Sequence, residues 1–404
     1  MKDSKSLIQA EAELSAQYYQ PIPVVLSQAK GVWAWDVEGN RYLDMLAAYS
    51  AASHGHGHPR LLQALRDQSE KLCVPSRAFY SDKLPAFLKT ICTLTGLDKV
   101  APMNTGAEAV ETGIKAARLW GYRIKGIPKD RAEIIVANNN FHGRTTTIIS
   151  FSSNEKSYDG FGPLTPGFKQ IPFGDIQALQ EAITPNTCAI LFEPIQGEGG
   201  VIVPPQGWLP QVAQLCHENN VLLLLDEIQS GLGRTGKMFA CRHENVQPDG
   251  IMLGKALGGG MLPISAFVAR EEIMQQFTPS MHGSTYGGNP LACAVGLEAL
   301  KILQDEELIE NSAELGAYML GRLHALAHSS SVITEVRGQG LWAGVDINPE
   351  VMSGHDMADL LMKHGVLTKE TRHQTLRFSP PLVITRKELD WGLDRFEEIV
   401  AQIG

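Results

Sequence analysis

Three short aliphatic runs constrain this chain more than any other feature: Ile134-Ile135-Val136, Ala189-Ile190-Leu191-Phe192 and Val221-Leu222-Leu223-Leu224-Leu225. Each ends at polar residues, none alternates apolar with polar, and longer helical stretches such as Glu108 to Trp120 separate them. Unbroken apolar strands of this kind suit a mostly parallel sheet covered by helices on both faces, an α/β layer fold. Ligands in such sheets collect beyond the carboxyl ends of the strands. Glu193 and Asp226 stand where two strands should end, so chemistry is expected beside them.

The pattern changes after about Leu291. Helix signals at Ala292 to Leu303, at Ala313 to Leu326, and in the spacing of Leu389, Leu393, Phe396 and Val400 flank strand-like Val332-Ile333 and Leu341 to Ile347. These belong to a smaller α+β unit. Gly31 to Leu46 reads as extended, with Glu38-Gly39-Asn40 as a hairpin tip. At 404 residues the chain is too long for one small core. The expected division is residues 1–45 as an N-terminal segment packing with the small domain, 46–290 as a large α/β domain, and 291–404 as the small α+β domain.

Composition excludes several functions. With 35 basic and 44 acidic residues the net charge is −9, which gives no global attraction for nucleic acid. No apolar run approaches the ~20 residues a membrane helix needs. The six cysteines are scattered without a Cys-x-x-Cys, so reduced thiols are expected, with no disulfide frame and no structural metal. Met1 to Ser15 lacks the apolar core of a signal peptide and the acid-poor bias of a transit peptide, which points to the cytoplasm. His54-Gly55-His56-Gly57-His58 looks like a metal tract, but its alternate glycines and the following Pro59 suggest a tight loop.

The most informative string is Leu253-Gly254-Lys255-Ala256-Leu257-Gly258-Gly259-Gly260. Glycines let the backbone approach a ligand, and a lysine in a closed site can lose enough basicity to become a nucleophile. Taken alone it could equally be a surface lysine before a flexible turn. Asp226 shifts the balance, because a carboxylate buried at a strand end needs a cationic partner. The protonated ring nitrogen of pyridoxal phosphate is such a partner. A phosphate cradle should then exist. Asn104-Thr105-Gly106-Ala107-Glu108, a turn into a helix, is one candidate and also reads as a capping box of Thr105 with Glu108. Gly283-Ser284-Thr285-Tyr286-Gly287-Gly288 is a second.

These strings, in this order and over essentially the whole chain, resemble the class III pyridoxal-phosphate aminotransferases of fold type I. Within that family Ser76-Arg77-Ala78-Phe79-Tyr80, Tyr158 to Pro163, Glu193-Pro194-Ile195-Gln196-Gly197-Glu198 and Arg377-Phe378-Ser379-Pro380-Pro381-Leu382 are most similar to the ornithine aminotransferases. The resemblance implies that Lys255 carries the cofactor as a Schiff base, Asp226 pairs with its ring nitrogen, Gln229 contacts the ring hydroxyl and Phe141 stacks on the ring. It also implies that Gly106 and Ala107 hold the phosphate from one subunit while Ser284 and Thr285 reach it from the other, which requires a homodimer. One departure stands out. His142 follows Phe141, as in acetylornithine aminotransferases, and Gly258 also looks more like those relatives.

The implied reaction takes the δ-amine of L-ornithine to 2-oxoglutarate in two half-reactions, with Lys255 as base and then acid. By the same resemblance Arg377 takes the α-carboxylate of glutamate, and Glu198 pairs with Arg377 while ornithine is bound. Arg144 and Tyr19 hold the far end of ornithine, and Tyr80 helps select its δ-amine. The plain alternative for each arginine is a structural ion pair. Glu193 is expected to brace the active-site shell. Rival readings are an acetylornithine or succinylornithine aminotransferase, a pyridoxal-phosphate aminomutase, and a non-enzymatic cofactor-binding regulator.

Overall fold

A computed structural model of the protein describes residues 3–404. Met1 and Lys2, part of the N-terminal stretch read above for targeting signals, lie outside the described residues. The three aliphatic runs become the strands Glu133–Ala137, Thr187–Phe192 and Leu222–Asp226, neighbours in the seven-stranded central sheet. Every residue of the last two strands is buried, which explains why neither alternates. In spatial order the sheet runs Lys99–Met103, Ser265–Ala269, Gly250–Leu253, Leu222–Asp226, Thr187–Phe192, Glu133–Ala137, Phe168–Ile171. Only Ser265–Ala269 runs against the others. The fold is α/β, as the apolar runs imply.

The helix Gly106–Arg123 lies across this sheet, burying Val110, Ile114, Ala117 and Trp120 along one stripe. Its start is fixed by sequence: Thr105 Oγ1 accepts from the Glu108 amide, and the Glu108 carboxylate accepts from the Thr105 amide at 2.7 Å. A second antiparallel sheet, Ile333–Gly338, Ala343–Ile347, Thr375–Phe378 and Lys369–Thr371, carries Arg377. The strand expected from Leu341 begins at Ala343; Leu341 and Trp342 lie in the turn before it.

In the third sheet, Leu26–Lys30, Trp33–Asp36 and Arg41–Asp44 join Val366–Leu367 from late in the chain. Its hairpin tip is set by Asp36, whose carboxylate accepts from the amides of Glu38 and Asn40 at 3.0 and 2.8 Å. The helix Pro290–Asp305 packs against Pro59–Ser69, Leu84–Thr95 and the turn Lys255–Gly258. No described helix is long and apolar enough to cross a membrane. The histidine tract is a loop whose rings face three different partners, the Ala299 carbonyl, Asp44 and Glu306.

Candidate active site

The carboxyl ends of the central strands open on a cavity of about 190 Å³. Lys255, Asp226, Gln229, Phe141, Gly106 and Ala107 all line it. These come from four separate segments of sequence, so their convergence is a property of the fold. Lys255 opens a helical turn with φ +43°, a strained conformation that turns its side chain into the cavity wall. Burial depresses its amine pKa, and no carboxylate pairs with it among the described residues. The surface-lysine alternative is therefore set aside.

Asp226 is 5% exposed. One carboxylate oxygen accepts from the Ile228 amide at 3.0 Å and the other meets His142 Nδ1 at 2.7 Å. Burial opposes charge on His142, but the hydrogen bond to Asp226 and that carboxylate's charge prevail and hold the imidazole pKa above its ordinary value. Glu193 is pushed up to about 7 by burial. Its two oxygens accept from the amides of Phe141 and Gly197 at 3.0 and 3.1 Å, which fixes both backbones at the cavity.

Gly106 and Ala107 sit in the first helical turn, where amides have no intrahelical acceptor. A Cβ on Gly106 would stand 3.0 Å from Ile228 Cδ1, so glycine keeps this approach open. Together the site offers an unpaired amine in the cavity wall, a buried carboxylate lining the same cavity, and a helix start suited to an anion. That donor set fits pyridoxal phosphate.

A second cavity of about 430 Å³ adjoins the first at Phe141 and is lined by Arg144, Glu198 and Glu370 among others. The Arg144 guanidinium lies 5.5 Å from the Phe141 ring and makes no ion pair among the described residues. Arg377 behaves differently: its side chain, 3% exposed, is ion-paired to Glu198, which is 29% exposed. Its Nε has no partner, and its guanidinium faces the Tyr49 ring at 4.8 Å. Sequence reasoning passed over Tyr49, since Ala47-Ala48-Tyr49-Ser50 carries no glycine or charge to mark it.

Four expected site residues are not gathered within one chain. Tyr19 is 69% and Tyr80 97% exposed, and Thr285 is exposed. Ser284 Oγ accepts from Asn104 Nδ2 at 2.9 Å, outside the cavity lining.

The "Aminotransferase class-III" family matches residues 14–400. The chain belongs to the class III aminotransferases. Like others of this family it uses pyridoxal phosphate. Class III relatives include an ornithine aminotransferase of Geobacillus sp. (strain WCH70), 52% identical over 403 residues and 100% of each chain. A solved ornithine aminotransferase of Toxoplasma gondii, described with partial occupancy of PLP at its active site, superposes with a TM-score of 0.98 at 43% identity. That match covers 100% of this chain and 95% of the other. A solved acetylornithine aminotransferase of Elizabethkingia anophelis matches with a TM-score of 0.90 at 44% identity, covering 100% of both chains.

Proposed function

We propose that this class III aminotransferase moves the δ-amino group of L-ornithine to 2-oxoglutarate, forming L-glutamate 5-semialdehyde and L-glutamate. The observation that carries this reading is the buried Arg377 closed by Glu198 beside an unpaired Arg144. One substrate presents an amine near Arg377 and the other a carboxylate, so the charge at that position must change between halves. With Glu198 on Arg377 the position is nearly neutral and admits the δ-amine end of ornithine. With Glu198 turned away, Arg377 offers a bidentate clamp to the α-carboxylate of the glutamate pair. Arg144, with Tyr19, holds the distal carboxylate end, and Tyr80 favours the δ-amine. Full-length relatives 49–52% identical to this chain are named ornithine aminotransferases, which supports the same donor.

Pyridoxal phosphate would be held by Gly106, Ala107, Phe141, Asp226, Gln229 and Lys255, and supplies an electron sink that acidifies the carbon bearing the amine. Asp226 keeps the ring nitrogen protonated. The Lys255 amine, its basicity lowered by burial, would take the proton from that carbon and deliver it to the cofactor carbon that receives the amine. Glu193 positions the Phe141 and Gly197 backbones and takes no part in proton transfer.

The working unit is a homodimer. Ser284 and Thr285 reach the phosphate of the partner's site, and the exposed Phe79, Tyr80 and Tyr286 form part of the covered face. The proposed division at residues 45 and 290 is supported by the separate central and C-terminal sheets, although Val366–Leu367 pairs with Leu43–Asp44 and the helix from Pro290 packs on the large unit. All six cysteines are free, which suits a cytoplasmic setting.

The deciding experiment compares L-ornithine with N-acetyl-L-ornithine as donors to 2-oxoglutarate, using cofactor-loaded protein and o-aminobenzaldehyde to trap the semialdehyde. Turnover with free ornithine and little with the acetylated form is expected. The reverse preference would reassign the chain to the acetylornithine enzymes, and transfer from neither would favour an aminomutase.

A further inference from the structure

The segment from Met281 to Thr285 is fastened to the helix Gly106–Arg123 around one imidazole, and the hydrogen bonds fix which protons that ring carries. Thr112 Oγ1 donates its only proton to the Glu108 carbonyl at 2.7 Å, so it must accept from His282 Nε2, 2.8 Å away. Lys115 Nζ, a donor with no lone pair to offer, stands 2.9 Å from His282 Nδ1 and 3.0 Å from the Met281 carbonyl. Nε2 therefore carries a proton, Nδ1 does not, and the ring is neutral. Its face stacks on Phe277 with centroids 5.6 Å apart and planes 24° from parallel. Two residues on, Ser284 Oγ accepts from Asn104 Nδ2 at 2.9 Å and from the Gly287 amide at 3.0 Å.

These bonds tie the loop to the helix whose first turn holds Gly106 and Ala107. Thr285 is exposed and lies outside the cavity of its own chain, so the loop is held facing outward. We propose that His282 is a positioning residue for the cofactor of the second subunit: as a neutral ring it latches the Ser284–Thr285 segment to the helix and so pre-orders the hydroxyls that reach the partner's phosphate. The inference rests on the homodimer reading above and adds to it the side chain that sets the loop. An added proton would place an N–H donor against the Lys115 ammonium and break that contact. The charged groups around the ring are Lys115, Glu108 and Glu111 and, beside Met281, Arg123, all on the same helix. Burial foremost, then Lys115, hold the imidazole pKa below its ordinary value of 6.5, against the pull of Glu108 and Glu111. A depressed histidine keeps its contribution above pH 6.5 and loses it as pH falls through the lowered value. The latch is therefore complete at neutral pH and opens in acid.

The test follows release of cofactor from the loaded protein, as loss of its visible absorbance on dilution, at pH 8 and at pH 5. His282→Leu removes both ring bonds and is expected to speed release about 3- to 10-fold at pH 8, the range for one ordinary hydrogen bond. His282→Gln keeps a neutral amide N–H toward Thr112 and has nothing to titrate. It should stay within about twofold of wild type at pH 8, while acidification speeds wild type by about threefold more than it speeds this variant. Titration of the phosphate itself is common to both proteins and cancels in the comparison. Thr285→Ala should also speed release, and combining it with His282→Leu should fall well short of the product of the two effects, because the latch acts through that loop. Parallel pH responses of wild type and His282→Gln, or effects that multiply in the double variant, would overturn the latch. A silent His282→Leu beside a faster Thr285→Ala would do the same and leave the shared phosphate cup standing. Thr285→Ala protein that holds its cofactor as wild type does would sink the shared cup and the latch together.

Discussion

Replacing Glu198 by alanine should tighten the binding of every ligand that places a carboxylate on Arg377. In the closed state such a ligand competes with Glu198, so its apparent affinity is lowered by the small fraction of molecules with Arg377 free. A hydrogen bond between charged groups contributes about 1.5–3 kcal/mol. Arg377 is buried at 3% exposure, but Glu198 is 29% exposed, so solvent screening brings the figure to about 1–2 kcal/mol. The predicted gain in glutarate affinity is therefore about 5- to 30-fold, at 1.4 kcal/mol per tenfold. The freed guanidinium should also accept the α-carboxylate of ornithine, so part of the product becomes the 2-oxo acid formed by loss of the α-amine. Titration calorimetry gives the first quantity and chromatography of the products the second. Unchanged glutarate affinity together with semialdehyde as sole product would refute the idea that Glu198 gates Arg377.

Lys255→Ala should abolish turnover and the visible absorbance of the protein-bound cofactor; normal activity in that variant would remove Lys255 from the chemistry. His142→Leu should leave the ratio of kcat/KM for ornithine over N-acetylornithine within about twofold while shifting the pH dependence of the bound-cofactor spectrum, because His142 bonds to Asp226. A tenfold change in that ratio would instead make His142 a donor-selecting residue. His54 gives a stability prediction. It is 1% exposed, its Nε2 donates to the Ala299 carbonyl, and burial lowers its pKa from 6.5 to about 4. A depressed histidine keeps its full contribution above pH 6.5 and loses it as pH falls toward 4, a drop of about 3 kcal/mol at 1.36 kcal/mol per unit. Urea midpoints of wild type and His54→Gln at pH 7 and pH 4.5 should show a flatter profile in the variant, and parallel profiles would contradict the assignment.

Much of this architecture is legible in sequence because its causes are local. A strand buried on both faces must be apolar throughout, so Leu222 to Leu225 announces its place in the sheet. The Thr105 and Glu108 pair announces a helix start for the same reason. Lys255 and Asp226 are readable from the glycines after one and the apolar run before the other. Other parts are set by distant neighbours and leave little local trace. Nothing in Ala47 to Ser50 signals a left-handed turn, because the bonds that enforce it come from Asp44 and Ser379. His142 stands out only as a difference from related enzymes, and its contact with Asp226 emerges when two strand ends meet across the sheet. Tyr19, Tyr80, Ser284 and Thr285 do not line the cavity of this chain; for Ser284 and Thr285 the expected role is toward a partner's site, while Tyr19 and Tyr80 are exposed and no local sequence pattern fixes where they point.

The loop that carries Glu198 is fastened to the C-terminal sheet by its backbone. The Glu198 carbonyl accepts from Thr371 Oγ1 at 2.8 Å, and the Gly200 carbonyl accepts from Arg337 Nε at 2.8 Å. Neither bond involves the Glu198 carboxylate, so both survive when it leaves Arg377. Changing the charge at the substrate position then needs only a rotation of one glutamate side chain. Rotations of exposed side chains take picoseconds to nanoseconds, whereas hinged domain motions take microseconds to milliseconds. In the proposed reaction the exchange of amine-accepting for carboxylate-accepting states therefore needs no backbone movement and is expected to be faster than a hinged domain closure.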